Sequence, residues 1–181
     1  MRKGTRTTAT YELMLDGVTV VGTTKKGDIF AIDRDDLPLI ENETIGMHGR
    51  DPYFTIYYGA ENPMSLSRYL LGSPRGLDVD HINTRNKWDN RRDNLRTCTR
   101  SENIQNQVAT GKTSKYKGVY YNRERGKYYS AICVMGKRKF LGRFANDIAA
   151  AKAYDVAAKL WHGEYARTNE DEGAFCDKEM V

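Results

Sequence analysis

Cysteine, histidine and long apolar runs are all scarce in this chain. Its three cysteines, Cys98, Cys133 and Cys176, form no Cys-x-x-Cys pair. That spacing argues against a disulfide framework and against a cysteine-based zinc site. No apolar run approaches a membrane span, and the N-terminal stretch MRKGTRTTATYELML has no signal-peptide core. With 39% hydrophobic residues and a mean hydropathy of −0.71, the expectation is modest cores under much solvated surface. A soluble intracellular protein of the cytoplasm is expected, a monomer with no membrane partner and no small-molecule cofactor. Of the three histidines, His48 and His162 stand in plain surroundings and read as surface or packing residues. His81 does not.

The net charge of +5 conceals an asymmetry. Residues 1–109 balance at 15 basic and 15 acidic side chains. Residues 110–169 carry 13 Lys and Arg against 4 acids, and the tail from Glu170 carries five acids and one Lys. Positive charge gathered in one third of a chain is the footprint of a polyanion binder, double-stranded DNA being one such partner, or else of a solvated basic surface.

The first stretch, residues 1–76, reads as a β-rich leader. Glu12–Leu15 and Val18–Val21 flank an Asp-Gly turn, and Ile29–Ile32 and Tyr53–Tyr58 read as further strands. Leu66–Leu71 reads as a short helix. Residues 77–109 then run strand, long polar loop, strand, helix. Val79–Ile82 is extended, Leu95–Thr97 returns, and Thr99-Arg100-Ser101-Glu102 has the capping-box pattern for a helix over 100–108. Residues 110–115 complete a small, polar linker. Residues 116–169 read as three strands (116–122, 127–134, 137–142) and a helix over 147–161. Val119, Tyr121, Ile132, Val134 and Leu141 are expected to face that helix. Residues 170–181 form an acidic tail, and no internal repeat is evident.

The segment VDHINTRNKWDNRRDNLRTCTRSENIQNQ carries the chemistry. His81 and Asn94 are 13 residues apart, and Asn94 and Asn103 are 9 apart. Cutting a phosphodiester needs an activated water, charge neutralisation and a stabilised leaving oxygen. One histidine as general base and one divalent cation can meet these needs. Asp80 supplies a carboxylate and Asn103 an amide oxygen for the cation. His81, next along an extended strand, points the opposite way, toward the far side of a phosphate. Asn94, just before the returning strand, can hydrogen-bond the loop backbone and hold His81 in place. Arg85, Lys87, Arg91, Arg92, Arg96 and Arg100 most simply contact phosphates, although some can pair with Asp89 or Asp93.

The strings Val79-Asp80-His81-Ile82-Asn83 and Asp89-Asn90-Arg91-Arg92-Asp93-Asn94-Leu95-Arg96, with Asn103 and Asn106, resemble the HNH family of homing endonucleases found in mobile and phage genomes. The resemblance implies a ββα-metal fold. It makes His81 the general base, Asn94 the loop-fixing asparagine, and Asp80 and Asn103 the metal ligands. Asn103 stands where the family's name has a second histidine, which favours magnesium or manganese over zinc. Asp33–Leu39 and Ser67–Gly72 look like the leader that often precedes this motif, with Ser67 where a histidine is frequent.

The strings Tyr116-Lys117-Gly118-Val119, Lys137-Arg138-Lys139-Phe140-Leu141-Gly142-Arg143-Phe144 and Ala150–Ala158, closed by His162–Asn169, resemble the apetala-two/ethylene-response-factor (AP2/ERF) DNA-binding domain. That resemblance implies a three-stranded sheet on one helix with its open face in the major groove. Alternation places Lys117, Tyr120, Asn122, Tyr129, Ala131, Cys133, Arg138 and Phe140 on that face. Arg123, Arg125, Lys127, Lys137, Lys139 and Arg143 are expected at phosphates. The expected protein is thus of α+β class, a metal-dependent DNA endonuclease with a ββα-metal segment followed by a three-stranded antiparallel sheet packed on one helix. The rival is a non-catalytic DNA-binding regulator that keeps the HNH scaffold as structure.

Overall fold

The computed structural model describes residues 8–47, 53–57, 63–72, 74–107 and 113–175. His48, Tyr58, Val108, Cys176 and half of the expected linker lie outside them. The chain is mixed α and β, with antiparallel sheets and few helices, and it divides into two compact units, Met1–Thr99 and Arg100–Val181.

In the first unit, β1 (Thr10–Leu13), β2 (Thr19–Thr23) and β3 (Ile29–Asp33) form an antiparallel meander. Asp16 closes the first turn by accepting hydrogen bonds from the amides of Val18 and Thr19 and from the Thr19 hydroxyl. Helix α1 (Leu37–Ile40) leads to β4 (Thr44–Met47), which pairs with β5 (Phe54–Tyr57); β6 (Met64–Ser65) adds to β5 ahead of α2 (Leu66–Leu71). Alternate side chains of these elements meet in one core: Val20, Phe30, Ile32, Ile40, Ile45, Phe54, Ile56, Leu66 and Leu70 are all buried. Gly22 makes room for it, since a Cβ there would lie 2.3 Å from the Phe30 ring. A two-stranded ribbon completes the unit, with β7 (Asp78–His81) antiparallel to β8 (Leu95–Cys98), Asp80 opposite Arg96 and His81 opposite Leu95.

The loop between β7 and β8 is joined to the meander as well as to its own ribbon. Ala31 donates its amide to the Trp88 carbonyl (2.9 Å) and accepts from the Asn90 amide (2.8 Å), a short parallel bridge to β3. Asp33 accepts the Arg92 amide, and buried Asp36 accepts the Arg92 guanidinium at 2.7 Å.

The second unit starts with α3 (Arg100–Asn106) and continues as β9 (Val119–Asn122), β10 (Lys127–Val134), β11 (Lys137–Phe144) and α4 (Asp147–His162). The sheet is antiparallel in the order β11-β10-β9, with a register shift at Ser130/Ala131. Asn146 caps α4 by accepting the Ala149 amide at 2.8 Å. The helix faces the sheet with Ala150, Ala151, Tyr154, Ala157 and Ala158, all buried, against Val119 and Ile132. Its small residues permit close approach.

Two expectations are corrected. The first strand starts at Val119 rather than Tyr116, because Gly118 takes φ +72° and the Val119 amide turns back to the Tyr116 carbonyl. Tyr121 is 37% exposed; it pairs with Tyr128 near the open end of the strands, while Val119 takes the buried position. Asp155 closes the unit. Its carboxylate accepts the Asn169 amide, the Asn169 side chain and the Glu170 amide, while Asn169 exchanges bonds with the backbone of Lys117.

Gly118 combines a left-handed backbone with contact: a Cβ there would lie 1.9 Å from the Tyr154 ring. Gly118→Ala is expected to destabilise by about 2–5 kcal/mol, combining backbone strain with overpacking. Thermal denaturation checks this, and a midpoint matching wild type would contradict it.

Candidate active site and nucleic-acid face

His81 ends β7 and is buried, as is Asp80. Asp80 Oδ2 accepts Nε and Nη2 of Arg96 at 3.2 and 3.0 Å, a cross-strand ion pair within the ribbon. The Tyr53 ring lies 5.9 Å from the imidazole, and the Lys87 ammonium sits 4.2 Å over that same ring. Beside them is a cavity of about 290 Å³ whose lining includes Phe54, Arg85, Lys87 and Trp88.

Asn94 is central to the loop's hydrogen bonding. Its Oδ1 accepts the Asn83 amide at 2.9 Å, and its Nδ2 donates to the carbonyls of Asn86 and Asp89 at 3.2 and 2.8 Å. Its own carbonyl accepts the Ile82 amide. One side chain thereby pins both limbs of the loop that follows His81.

Asn90, inside the same loop, is 1% exposed, and its Nδ2 donates to the Trp88 carbonyl at 3.1 Å. Burial pushes the His81 imidazole below its ordinary value, against the opposing pull of Asn90 and the Asp80 charge. A shift in that direction favours the neutral ring, the form able to take a proton.

The arginines of the loop are engaged within the protein. Arg91 makes a two-pronged pair with Asp89, Arg92 pairs with Asp36, and Arg96 pairs with Asp80. Asn103 is half-buried on α3, in the second unit. Asp80 and Asn103 both offer hard oxygen donors, which fit magnesium or manganese in kind. Among the described residues no group of three or more His, Cys, Asp or Glu is placed to hold a metal.

Residues 69–105 match the HNH endonuclease family. This HNH segment takes in the end of α2, the ribbon, the loop and most of α3. A stretch of 58 residues, 32% of the chain, is 43% identical to an AP2-like ethylene-responsive transcription factor of Arabidopsis thaliana. The APETALA2-like protein 2 of Oryza sativa, in both subspecies indica and japonica, is 41% identical over 58 residues. The chain spans only about an eighth of the length of these relatives, 12% of the first and 13% of the others.

On the sheet of the second unit, the face away from α4 carries a stacked layer. Tyr120 and Tyr129 lie 5.1 Å apart at an 18° interplanar angle, and Phe140 is 6.3 Å beyond Tyr129. The Arg138 guanidinium sits 4.2 Å over Tyr120, and Arg143 lies 5.7 Å over Phe140. Ala131 is buried next to its cross-strand partner Phe140, and Cys133 is exposed. Arg123, Arg125, Lys127, Lys137 and Lys139 are all exposed, with Lys139 4.7 Å over Trp161. The Asn122 side chain caps the following turn by accepting the Arg125 amide.

Lys117 lies apart from this layer. Its ammonium donates to the carbonyls of Gln105 and Gln107 at the end of α3, and burial, with Arg167 nearby, pushes its pKa down to about 8. His162 is a packing residue whose Nε2 lies 2.9 Å from the Cys133 carbonyl.

Asp89 links electrostatics to stability. Burial works to raise its carboxyl, but the hydrogen bonds from Arg91 outweigh it and hold it below the usual carboxylate range. A carboxyl lowered on folding stabilises above its unfolded value, near about 4, and that stability is lost as pH falls through the folded value. Asp89→Asn is therefore expected to lower the melting temperature at pH 7 and to flatten its fall between about pH 5 and pH 3. Parallel melting curves for the two proteins across that range would contradict the assignment.

Proposed function

We propose that this protein is a metal-dependent DNA endonuclease of the HNH type, in which the segment from Asp78 to Asn106 acts as a ββα-metal unit and the second unit's sheet grips duplex DNA. The observation that carries the reading is the buried His81 at the end of β7, set beside Asp80 within a match to the HNH endonuclease family.

In this reading His81 takes the proton of the attacking water as general base. Asn94 keeps the loop that follows it in one conformation. By the HNH resemblance, Asp80 and Asn103 would be the residues to hold a divalent cation, magnesium or manganese, which would neutralise phosphate charge and stabilise the leaving oxygen. Arg96 keeps the Asp80 carboxylate oriented. The stacked rings and the Arg138 guanidinium fit contact with base edges, while the exposed cations around them fit phosphates. The name of the Arabidopsis thaliana relative, an AP2-like transcription factor, supports DNA as the ligand of this face. A homing role and a phage source are consistent with the same resemblance.

The deciding experiment incubates the full chain with supercoiled plasmid, with and without magnesium, and maps the ends. Metal-dependent nicks or breaks are expected. DNA binding without cleavage under any divalent cation would favour the regulator reading. His81→Ala is expected to slow turnover by roughly 10²–10⁴-fold while DNA affinity stays near wild type; wild-type cleavage by this variant would remove the base assignment. If six to ten cations meet phosphates, affinity should fall by about 10³–10⁵ between 50 and 200 mM salt. Binding titrations test this, and a flat salt response would contradict the basic-face model.

A further inference from the structure

We propose that the cavity beside His81 seats one unpaired nucleotide of a DNA strand, with its base stacked on Trp88 and its phosphate against Arg85 and Lys87. The proposal rests on the reading of DNA as the ligand of this protein. It adds a binding pocket in the first unit, separate from the sheet of the second.

The floor of the cavity is apolar and comes from strands. Ile29 opens β3 and is 58% exposed, because its neighbour Phe30 takes the inward place in the alternation. Met47 and Phe54 are cross-strand partners on β4 and β5. The indole of Trp88 adds to this lining and stays 46% exposed, although its backbone is firmly held. The Trp88 carbonyl accepts the Ala31 amide at 2.9 Å and Asn90 Nδ2 at 3.1 Å, and the next amide, that of Asp89, donates to the Asn86 carbonyl at 3.0 Å. The ring therefore stands beside an apolar hollow on a backbone tied to β3. A large aromatic surface placed in this way is suited to stacking against a flat ring.

The polar groups define the ligand. Arg85 and Lys87 line the cavity from the loop between β7 and β8, and Lys25 and Lys26 are exposed on the turn from β2 that ends at Asp28. These cations suit a phosphate, whereas the floor and the indole suit the face of a base. The Asp28 carboxylate, also in the lining, is held by the Thr24 hydroxyl at 3.1 Å. A carboxylate only accepts, so it fits the amino group of a base and places the phosphate on the side of Arg85 and Lys87. At about 290 Å³ the cavity lies at the small end of ligand pockets, roughly 300–1,000 Å³, which gives room for one nucleotide and not for a helix. A paired base is stacked between its neighbours, so the base that reaches Trp88 must be unpaired. Lys87 joins the cavity to the candidate active site, since its ammonium lies 4.2 Å over the Tyr53 ring, itself 5.9 Å from the imidazole. A strand with one base seated here runs past His81.

The test uses the full chain with EDTA present, so that no strand is cut, and reads duplex anisotropy and tryptophan emission. The probes are a paired duplex, the same duplex with one unpaired guanine, that duplex with the extra base removed to leave an abasic residue, and dGMP. The chain has two tryptophans, Trp88 and Trp161. Wild type should bind the unpaired-guanine duplex more tightly than the paired and abasic ones. An added quench of emission should accompany it and disappear in Trp88→Phe, where only Trp161 emits. Trp88→Ala should weaken binding of the unpaired-guanine duplex by roughly 5–150-fold, the worth of one base–aromatic stack, and leave the paired duplex near wild type. Trp88→Phe, which keeps a ring, should retain most of the preference. Equal affinity of wild type for the three duplexes would overturn the proposal, as would a preference that survives Trp88→Ala. Binding of dGMP without any preference among the duplexes would assign the cavity to a free nucleotide and also counts against it. Should Trp88→Ala fail to fold, Trp88→Phe decides, and an added quench that persists there overturns the proposal. Failure to bind any duplex would remove the underlying reading of DNA as the ligand, and the proposal with it.

Discussion

Two backbone hydrogen bonds at Ala31 hold the first unit's chemistry in place. They attach the polar loop between β7 and β8 to the edge of a meander whose other side is packed with Phe30, Ile32, Phe54 and Ile56. A loop rich in Asn, Asp and Arg has little apolar surface to bury and would not keep one conformation by itself. Its order comes from polar satisfaction. Asn94 answers backbone groups on both limbs, Asp89 and Arg91 answer each other, and Asp33 and Asp36 reach over from the residues after β3 to bind Arg92. Buried polar groups are costly when unmatched, so these bonds act together as a condition for the loop's shape.

That arrangement explains why so many cations of the motif face inward. Arg91, Arg92 and Arg96 each end on a carboxylate of the same unit. The loop therefore keeps much of its positive charge for its own architecture. The Arg96–Asp80 pair is of particular consequence, because it restrains the carboxylate next to the imidazole. Desolvation at His81 then lowers the imidazole and favours its neutral form.

The second unit solves a different problem. Its helix presents mostly alanines to the sheet, so the strands lie close and the opposite face is left to large side chains. On that face rings stack on rings and guanidinium groups lie over them, which holds long cationic side chains in fixed positions without burying their charge. The arrangement lowers the entropy that arginine would lose on meeting a polyanion. Lys117 is the exception. It follows the left-handed requirement of Gly118 and a turn ahead of β9, and its ammonium ends on the carbonyls that close α3.

Much of this was legible in the residues. The Asp-Gly turn, the three strands and helix after residue 116, the short helix over Leu66–Leu71 and the strand–loop–strand–helix order of the motif follow from local periodicity and turn chemistry, which act within a few residues. Asn94 could be placed because its bonds go to neighbours in the same loop. The start of β9, the exposure of Tyr121 and the destination of Lys117 could not, since each depends on a partner chosen by packing: Tyr154 across from Gly118, the open end of the sheet, the end of α3. Sequence alone determined which side chains could do the chemistry, because composition and spacing set the available acids, bases and donors. Only the tertiary structure decided which atom faces which, because that depends on a strand more than fifty residues earlier in the chain supplying the hydrogen bonds that hold the loop still.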